Sequence, residues 1–319
     1  MKILVVGAAG FVASHLVDYC LEQGDEVIGT IRWNEDLSRL NKNIKTEHVE
    51  LTDLSSLIRA INKHKPDIIS HLAAQSWVQY SFENPIYTMN INAIGTLNVL
   101  EAIRVINLFE EYKPLIHVCS SSEFYGKVPK DKQPITIEHS ASPMNPYGVG
   151  KVAGDLMAQL YEKYYDMNIL ITRMFTHTGP RRTMMSAECY YAKYIAEIEK
   201  GKRDKVIPLG NMESIRTWAD VRDAVANYYE LFKNNKTGIY NISGEKQKSI
   251  REVLDYLLSI SKLNKDDIEF PTDKNLLRKI DVDCQIADIS KFKTECTWHN
   301  DISFEQLMQD LLDYWRENV

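Results

Sequence analysis

The first thirteen residues limit what the rest of the chain can become. Lys2–Val6 is a short run, apolar after its lysine, and Gly7, Gly10 and Ala13 follow at three-residue spacing. Phe11–Glu22 then has the 3.6-residue periodicity of a helix, and Gly24 supplies a stop signal. An uninterrupted apolar run is the pattern of a strand buried on both faces of a parallel sheet. The G-x-x-G-x-x-A turn after it suits a pyrophosphate. Gly7 allows a tight turn, Gly10 a close backbone approach, and Ala13 close packing of a helix whose N-terminus faces the anion. A glycine-containing loop alone is weak evidence, but its place at the first strand–helix junction favours dinucleotide binding.

The pattern repeats. Glu26–Ile31, Lys45–Val49, Asp67–Leu72, Leu115–Cys119 and Asn168–Phe175 read as strands, and Ser55–His64, Asn90–Ile106 and Tyr147–Tyr165 read as helices. Repeated β-α units with short connections predict an α/β chain with a Rossmann-type, doubly wound parallel sheet, here of seven strands. After Thr176 the pattern turns irregular, with helices expected at Thr183–Lys200, Ile250–Ser261 and Ser303–Asn318. We therefore assign residues 1–175 and 217–247 to the dinucleotide-binding domain. Residues 176–216 and 248–319 form a smaller α/β substrate lobe.

Composition excludes little but points one way. Forty-four per cent hydrophobic and 26% charged residues suit a globular chain of 319 residues with a sizeable core. The net charge of −6 argues against a nucleic-acid or anionic membrane surface. No apolar run reaches membrane-spanning length. Cys20, Cys119, Cys189, Cys284 and Cys296 are scattered, odd in number and without metal-ligand spacing. A reducing cytoplasm and no metal site are the expectation.

Chemistry is carried by Tyr147 and Lys151, a Y-x-x-x-K pair four residues apart on one helical face. An adjacent ammonium favours phenolate, making Tyr147 a usable general base. Upstream, Ser120-Ser121-Ser122-Glu123 follows a predicted strand, and so lies at the sheet edge where ligands bind in open α/β folds. The second strand ends at Arg32 with no acidic residue at its end, while Glu35 and Asp36 come slightly later. Arg32 suits a 2′-phosphate or an adenine face, or is a solvated loop residue, so NAD and NADP both stay open. Asp53 suits the adenine amino group, or caps the helix that begins at Leu54.

These segments together resemble the extended short-chain dehydrogenase/reductases of the nucleotide-sugar epimerase/dehydratase family. The carriers are GAAGFVASH, HLAAQSWVQYSFENP, NAIGTLNVLEAIR, SSSEFYG, NPYGVGK, GNMESIRTWADVRDAV and ISFEQLMQDLLDYWREN. AQSWVQYSFENP, SSEFYGKV and THTGPRR are most similar to GDP-mannose 4,6-dehydratases. NPYGVGK and the short loop after Arg32 are equally similar to GDP-4-keto-6-deoxymannose reductases.

The resemblance implies that Tyr147 takes the proton of a sugar hydroxyl as hydride passes to the cofactor, with Lys151 on the nicotinamide ribose. It implies Ser121 on the sugar 4-oxygen, where dehydratases carry Thr, and Glu123 as an acid/base at C5 and C6. Phe11, Val12, Leu54, Leu72, Ala73 and Ala74 are implied to line the cofactor crevice. Ser76, Ser122, Thr176, Arg181, Arg182 and Lys193 are implied on the substrate side, with Arg216 and Arg278 on the diphosphate. Thr176-His177 replaces the usual Asn-His. The implied activity is oxidation at C4 of a GDP-linked manno-configured hexose or heptose, the alternatives being 4,6-dehydration, 4-keto reduction and epimerisation. A dinucleotide-sensing scaffold is the non-enzymatic rival. A homodimer or homotetramer paired through the helices at Asn90–Ile106 and Tyr147–Tyr165 is also implied.

Overall fold

A computed structural model describes residues 1–277 and 281–319. In chain order the strands are β1 (Lys2–Val6), β2 (Glu26–Ile31), β3 (Lys45–His48), β4 (Ile68–His71), β5 (Leu115–Ser121), β6 (Ile169–Met174), β7 (His177–Thr178), β8 (Ile215–Asp220), β9 (Gly238–Ile242), β10 (Lys246–Ser249) and β11 (Cys284–Gln285). The α-helices are α1 (Phe11–Glu22), α2 (Leu54–His64), α3 (Val78–Glu83), α4 (Pro85–Met89), α5 (Gly95–Ile106), α6 (Pro146–Tyr165), α7 (Ala187–Glu199), α8 (Val221–Lys233), α9 (Ile250–Ser259), α10 (Ser290–Glu295) and α11 (Phe304–Glu317).

Seven strands make one sheet in the order β3-β2-β1-β4-β5-β6-β9, and every neighbouring pair is parallel. Parallel strands need crossovers, and the helices supplying them cover both faces. On one face, Leu16 and Val17 of α1 pack with Tyr228 and Phe232 of α8. On the other, Leu57, Val99, Ile103 and Ala158 join α2, α5 and α6 over Ile69, Ile116 and Ile171. The strand order reverses between β1 and β4, which opens a crevice at the C-terminal edge.

The second sheet runs β10-β8-β11, with β7 also on β8. It packs through Trp218 on a third core, where Ile195, Leu257, Leu311 and Leu312 bring α7, α9 and α11 together. Among the described residues no helix is long and apolar enough to cross a membrane.

Two helices differ from the sequence expectation. The helix expected at Asn90–Ile106 opens with a wider π turn over Asn90–Ile94 before α5 begins. The Asn92 side chain is drawn to the Gln75 backbone, accepting its N–H and donating to its carbonyl, both at 2.9 Å. Gly150 of α6 also packs against Asn92, leaving no room for a side chain. Such π turns recur where a helix is distorted for a site. The helix expected from Thr183 begins only at Ala187, with Ser186 in extended conformation at its N-cap.

Candidate active site

The phosphate turn leaves β1 at the sheet's centre. Gly7 has φ +85°, and a Cβ there would lie 2.7 Å from the Ala73 Cβ, so only glycine fits. Its N–H donates to Thr30 Oγ1 at 3.0 Å, and the Gly10 N–H donates to the Gly7 carbonyl at 3.0 Å. Gly10 is the N-cap of α1 and brings no side chain to cap it, so the first N–H groups of the helix face the crevice. Val12 and Leu72 pack on the core beneath, and Ala13 is buried. Ala73 and Ala74 are half-buried after β4. A glycine cradle and an uncapped helix N-terminus fit a dinucleotide pyrophosphate.

The candidate reacting groups converge from β5 and α6. Pro146 stands at the first helical turn of α6, and Asn145 caps it by accepting the Gly148 N–H at 2.7 Å. This fixes Tyr147 over the end of β5, with its phenol beside Ser121. Burial raises the Tyr147 phenol above its ordinary value, and the Ser121 hydrogen bond and the Arg182 charge pull it back down. Sequence spacing alone gave that role to Lys151. In the structure the Lys151 ammonium is buried and donates to the Cys119 carbonyl at 2.7 Å, its pKa lowered by burial. Ser121 Oγ also accepts the Glu123 N–H at 3.2 Å. The Glu123 carboxylate accepts from Asn145 Nδ2 at 2.7 Å. Asn145 therefore links the general-base helix to the acid/base candidate. Sequence reasoning left it unassigned, although Asn before Pro is a recognisable cap signal.

A second cluster joins the turn to the lobe. The Phe11 ring stacks on His177, with centroids 6.0 Å apart and planes 8° apart, and the Arg182 guanidinium lies 5.2 Å from it. Arg182 donates to the His177 carbonyl at 2.9 Å and pairs with Glu188 at 3.2 Å. Burial, with Arg182 adding to it, pushes His177 down to about 4, so its ring is neutral.

With this geometry in view, the relatives are informative. The sequence profile described as GDP-mannose 4,6 dehydratase matches residues 4–311. The chain is 31% identical to GDP-mannose 4,6 dehydratase 1 of Arabidopsis thaliana, over 97% of this chain and 88% of that one. It is 26% identical to GDP-6-deoxy-D-mannose reductase of Pseudomonas aeruginosa, over 80% and 82% respectively. The chain belongs to the GDP-mannose 4,6-dehydratase family. Its fold is similar to UDP-glucose 4-epimerase of Thermotoga maritima solved with UDP-glucose, at TM-score 0.86 and 25% identity, covering 100% of this chain and 99% of that one. These are extended short-chain dehydrogenase/reductases, as the motifs led us to expect.

Family membership turns attention to the other expected residues, which the structure distributes unevenly. The buried Ser122 hydroxyl donates to the Gln285 side-chain oxygen at 3.2 Å, and the Gln285 amide donates to the Ser122 carbonyl, tying the loop after β5 to β11. Gln285 lies 163 positions away in sequence, and no local signal announces it. Arg216 donates to the Ile215 and Val282 carbonyls at 2.9 and 2.8 Å. Lys193 is half-buried and lies 3.6 Å from Glu197, one turn along α7. Thr176 is half-buried, its carbonyl accepting from Ala219 N–H, and Ser76 is exposed. Arg181 points away to Asp18 at 2.7 Å. Asp53 caps α2 through Ser55 N–H at 3.0 Å, the helix-cap reading of that residue, and Leu54 packs on the core. The exposed Arg32 pairs with Glu35 at 3.3 Å. Arg278 lies outside the described residues.

Proposed function

We propose that this protein is an NAD(P)-dependent oxidoreductase acting at C4 of a GDP-linked, manno-configured hexose or heptose, giving a 4-keto sugar. The observation that carries the reading is the juxtaposition of Tyr147 and Ser121 at the strand edge beside the Gly7–Gly10 turn. The nicotinamide supplies the two-electron acceptor when bound. Tyr147 takes the C4 hydroxyl proton onto its phenolic oxygen while Ser121 holds the same sugar oxygen. Lys151, anchored on the Cys119 carbonyl, keeps two ammonium hydrogens for the ribose hydroxyls and the phenol. The lobe of residues 176–216 and 248–319 holds the nucleotide, with Arg216 and Arg278 as the ligands of its diphosphate, Lys193 as a further candidate and Arg182 as a substrate contact.

A specific observation supports a second reading, 4,6-dehydration. Glu123 is held by Asn145 at the same strand end as Tyr147. A carboxylate there can remove the C5 proton of the 4-keto sugar as the C6 hydroxyl leaves as water; the hydride taken from C4 is then returned to C6 and a proton to C5, so the net change is loss of water. Mass spectrometry of the product from GDP-mannose and GDP-manno-heptose tests both readings. Loss of two hydrogens is expected for the first reading and loss of water for the second. An unreacted pair of sugars under every redox condition would overturn the substrate assignment.

The exposed apolar residues Leu156, Leu160 and Tyr164 of α6, together with Ile94 before α5, support a homodimer through these helices. Five free thiols support a cytoplasmic setting.

A further inference from the structure

A buried ion pair lies beneath the site, and the chemistry above makes no use of it. Arg173 of β6 and Asp155 of α6 have side chains 3% and 0% exposed. The guanidinium grips the carboxylate with two prongs, Nε donating to Oδ2 at 3.0 Å and Nη2 to Oδ1 at 3.1 Å. Its Nη1 reaches the other way, donating to the Tyr125 hydroxyl at 3.1 Å and to the Ile137 carbonyl at 3.0 Å. The Tyr125 hydroxyl donates in turn to Asn241 Oδ1 at 2.7 Å. The Phe124 ring covers the guanidinium, with its centroid 3.5 Å from the central carbon.

These contacts join the two elements that carry the candidate reacting groups. Tyr147, Lys151 and Asp155 follow at four-residue spacing and share one face of α6. Phe124 and Tyr125 close the tight turn that starts at Ser121 and carries Glu123. Where helix and turn pass each other, a Cβ on Gly148 would lie 3.0 Å from the Glu123 carbonyl, so little slack remains between them. Desolvation offsets much of the attraction in an ion pair this deep, and matched apolar side chains commonly hold a core as well. What a planar fork adds is direction, which a point charge does not fix.

We propose that Arg173 is a positioning residue for the reaction: through Asp155 on one side and Phe124 and Tyr125 on the other, it holds Tyr147 in register with Ser121. This rests on the reading that Tyr147 and Ser121 act on one sugar oxygen. The buried guanidinium belongs to neither the Gly7–Gly10 turn nor the nucleotide lobe. Loosening it therefore acts on turnover and leaves binding alone.

Two variants of the full-length protein test this. Arg173→Lys keeps the charge and loses the fork. The paired change Asp155→Leu with Arg173→Met removes both charges and leaves neither buried alone. In each, kcat for product formation from GDP-mannose or GDP-manno-heptose should fall by about tenfold to a hundredfold, the scale of a displacement of about 1 Å. KM and dinucleotide affinity should stay within about twofold, a split that general loosening of the fold would not give. A second readout needs no substrate. In protein carrying carbon-13 at the tyrosine Cζ positions, the Tyr147 signal, identified by its loss in Tyr147→Phe, should shift or broaden in Arg173→Lys. An unmoved Tyr147 signal would overturn the inference. So would unchanged kcat in Arg173→Lys, parallel losses of kcat and dinucleotide affinity, or full turnover in the paired variant. If the unmodified protein turns over neither sugar, the proposed function fails, and the Tyr147 signal alone decides whether Arg173 sets that ring.

Discussion

The two walls of the crevice are built in opposite ways. On the cofactor wall, Gly7 to Ala13 form one contiguous stretch, and the ligand-facing groups are backbone N–H donors set by φ angles and an uncapped helix end. On the substrate wall, the contacts are side chains from distant segments. Ser122 meets Gln285, and Arg216 meets Val282. A backbone site is fixed as soon as its strand and helix form. A side-chain site exists only after the second sheet has docked, and each group there has also been given a structural task.

The sharpest way to break this contrast is at the hinge between the walls. Tyr147 belongs to neither, standing on α6 over β5. Tyr147→Phe removes the phenolic proton carrier and keeps the ring. Turnover should fall by about 10²–10⁴-fold, the range of general acid–base catalysis, with dinucleotide affinity nearly unchanged. Loss of dinucleotide binding in this variant would show that the two walls are not separable. Undiminished turnover would remove Tyr147 from the chemistry.

That asymmetry also explains what the sequence disclosed. The parallel sheet, the phosphate turn and the Tyr147–Lys151 pair were legible because strand periodicity, glycine spacing and a four-residue helical repeat are local signals. Asn145 was legible as a cap but not as the partner of Glu123, since that link needs the loop's path. Gln285 had no local signal at all. Spacing nominated Lys151 to tune Tyr147; the burial that raises the phenol, and the opposing effects of Ser121 and Arg182, carry no local signal.

A moderate effect should appear in acid, from histidines on both sides of the sheet and on the substrate wall. Burial pushes His71 and His117 down to about 3, and His177 down to about 4. The unfolded chain takes up their protons near the ordinary value of 6.5, whereas the folded protein resists until far lower pH. The unfolded state therefore binds more protons in this window. Stability is fully present above pH 6.5 and is lost progressively as pH falls toward these depressed values. Urea midpoints measured from pH 7.5 to 5.0, above most carboxylate titration, should fall steadily. In His117→Asn, which removes a ring bonded to Ser70 and Thr172, the slope should flatten even if the variant is less stable throughout. A slope equal to that of the unmodified protein would exclude His117 as a contributor.

The smallest effect lies at the rim of the cofactor wall, where the rule that backbone makes the site meets an exposed side chain. Asp53 stands where an adenine amino group would find an acceptor, yet its Oδ1 already takes the Ser55 N–H and the Ser55 hydroxyl, at 3.0 and 2.6 Å. Those bonds hold the carboxyl below its usual range and satisfy the start of α2, whose Leu57 and Ile61 anchor one face of the sheet. A side chain spent on a cap contributes to the fold, and to the ligand only through the loop it steadies. Asp53→Ala should therefore lower the melting temperature by about 2 °C, as loss of an N-cap in a chain of this size does. Dinucleotide affinity should change by less than about twofold, well under the loss of one charge-assisted hydrogen bond. Differential scanning fluorimetry and calorimetric titration on the same sample separate the two. A tenfold loss of affinity with an unmoved melting temperature would return Asp53 to the adenine site. It would also show that even the cofactor wall needs a side chain that a backbone reading misassigns.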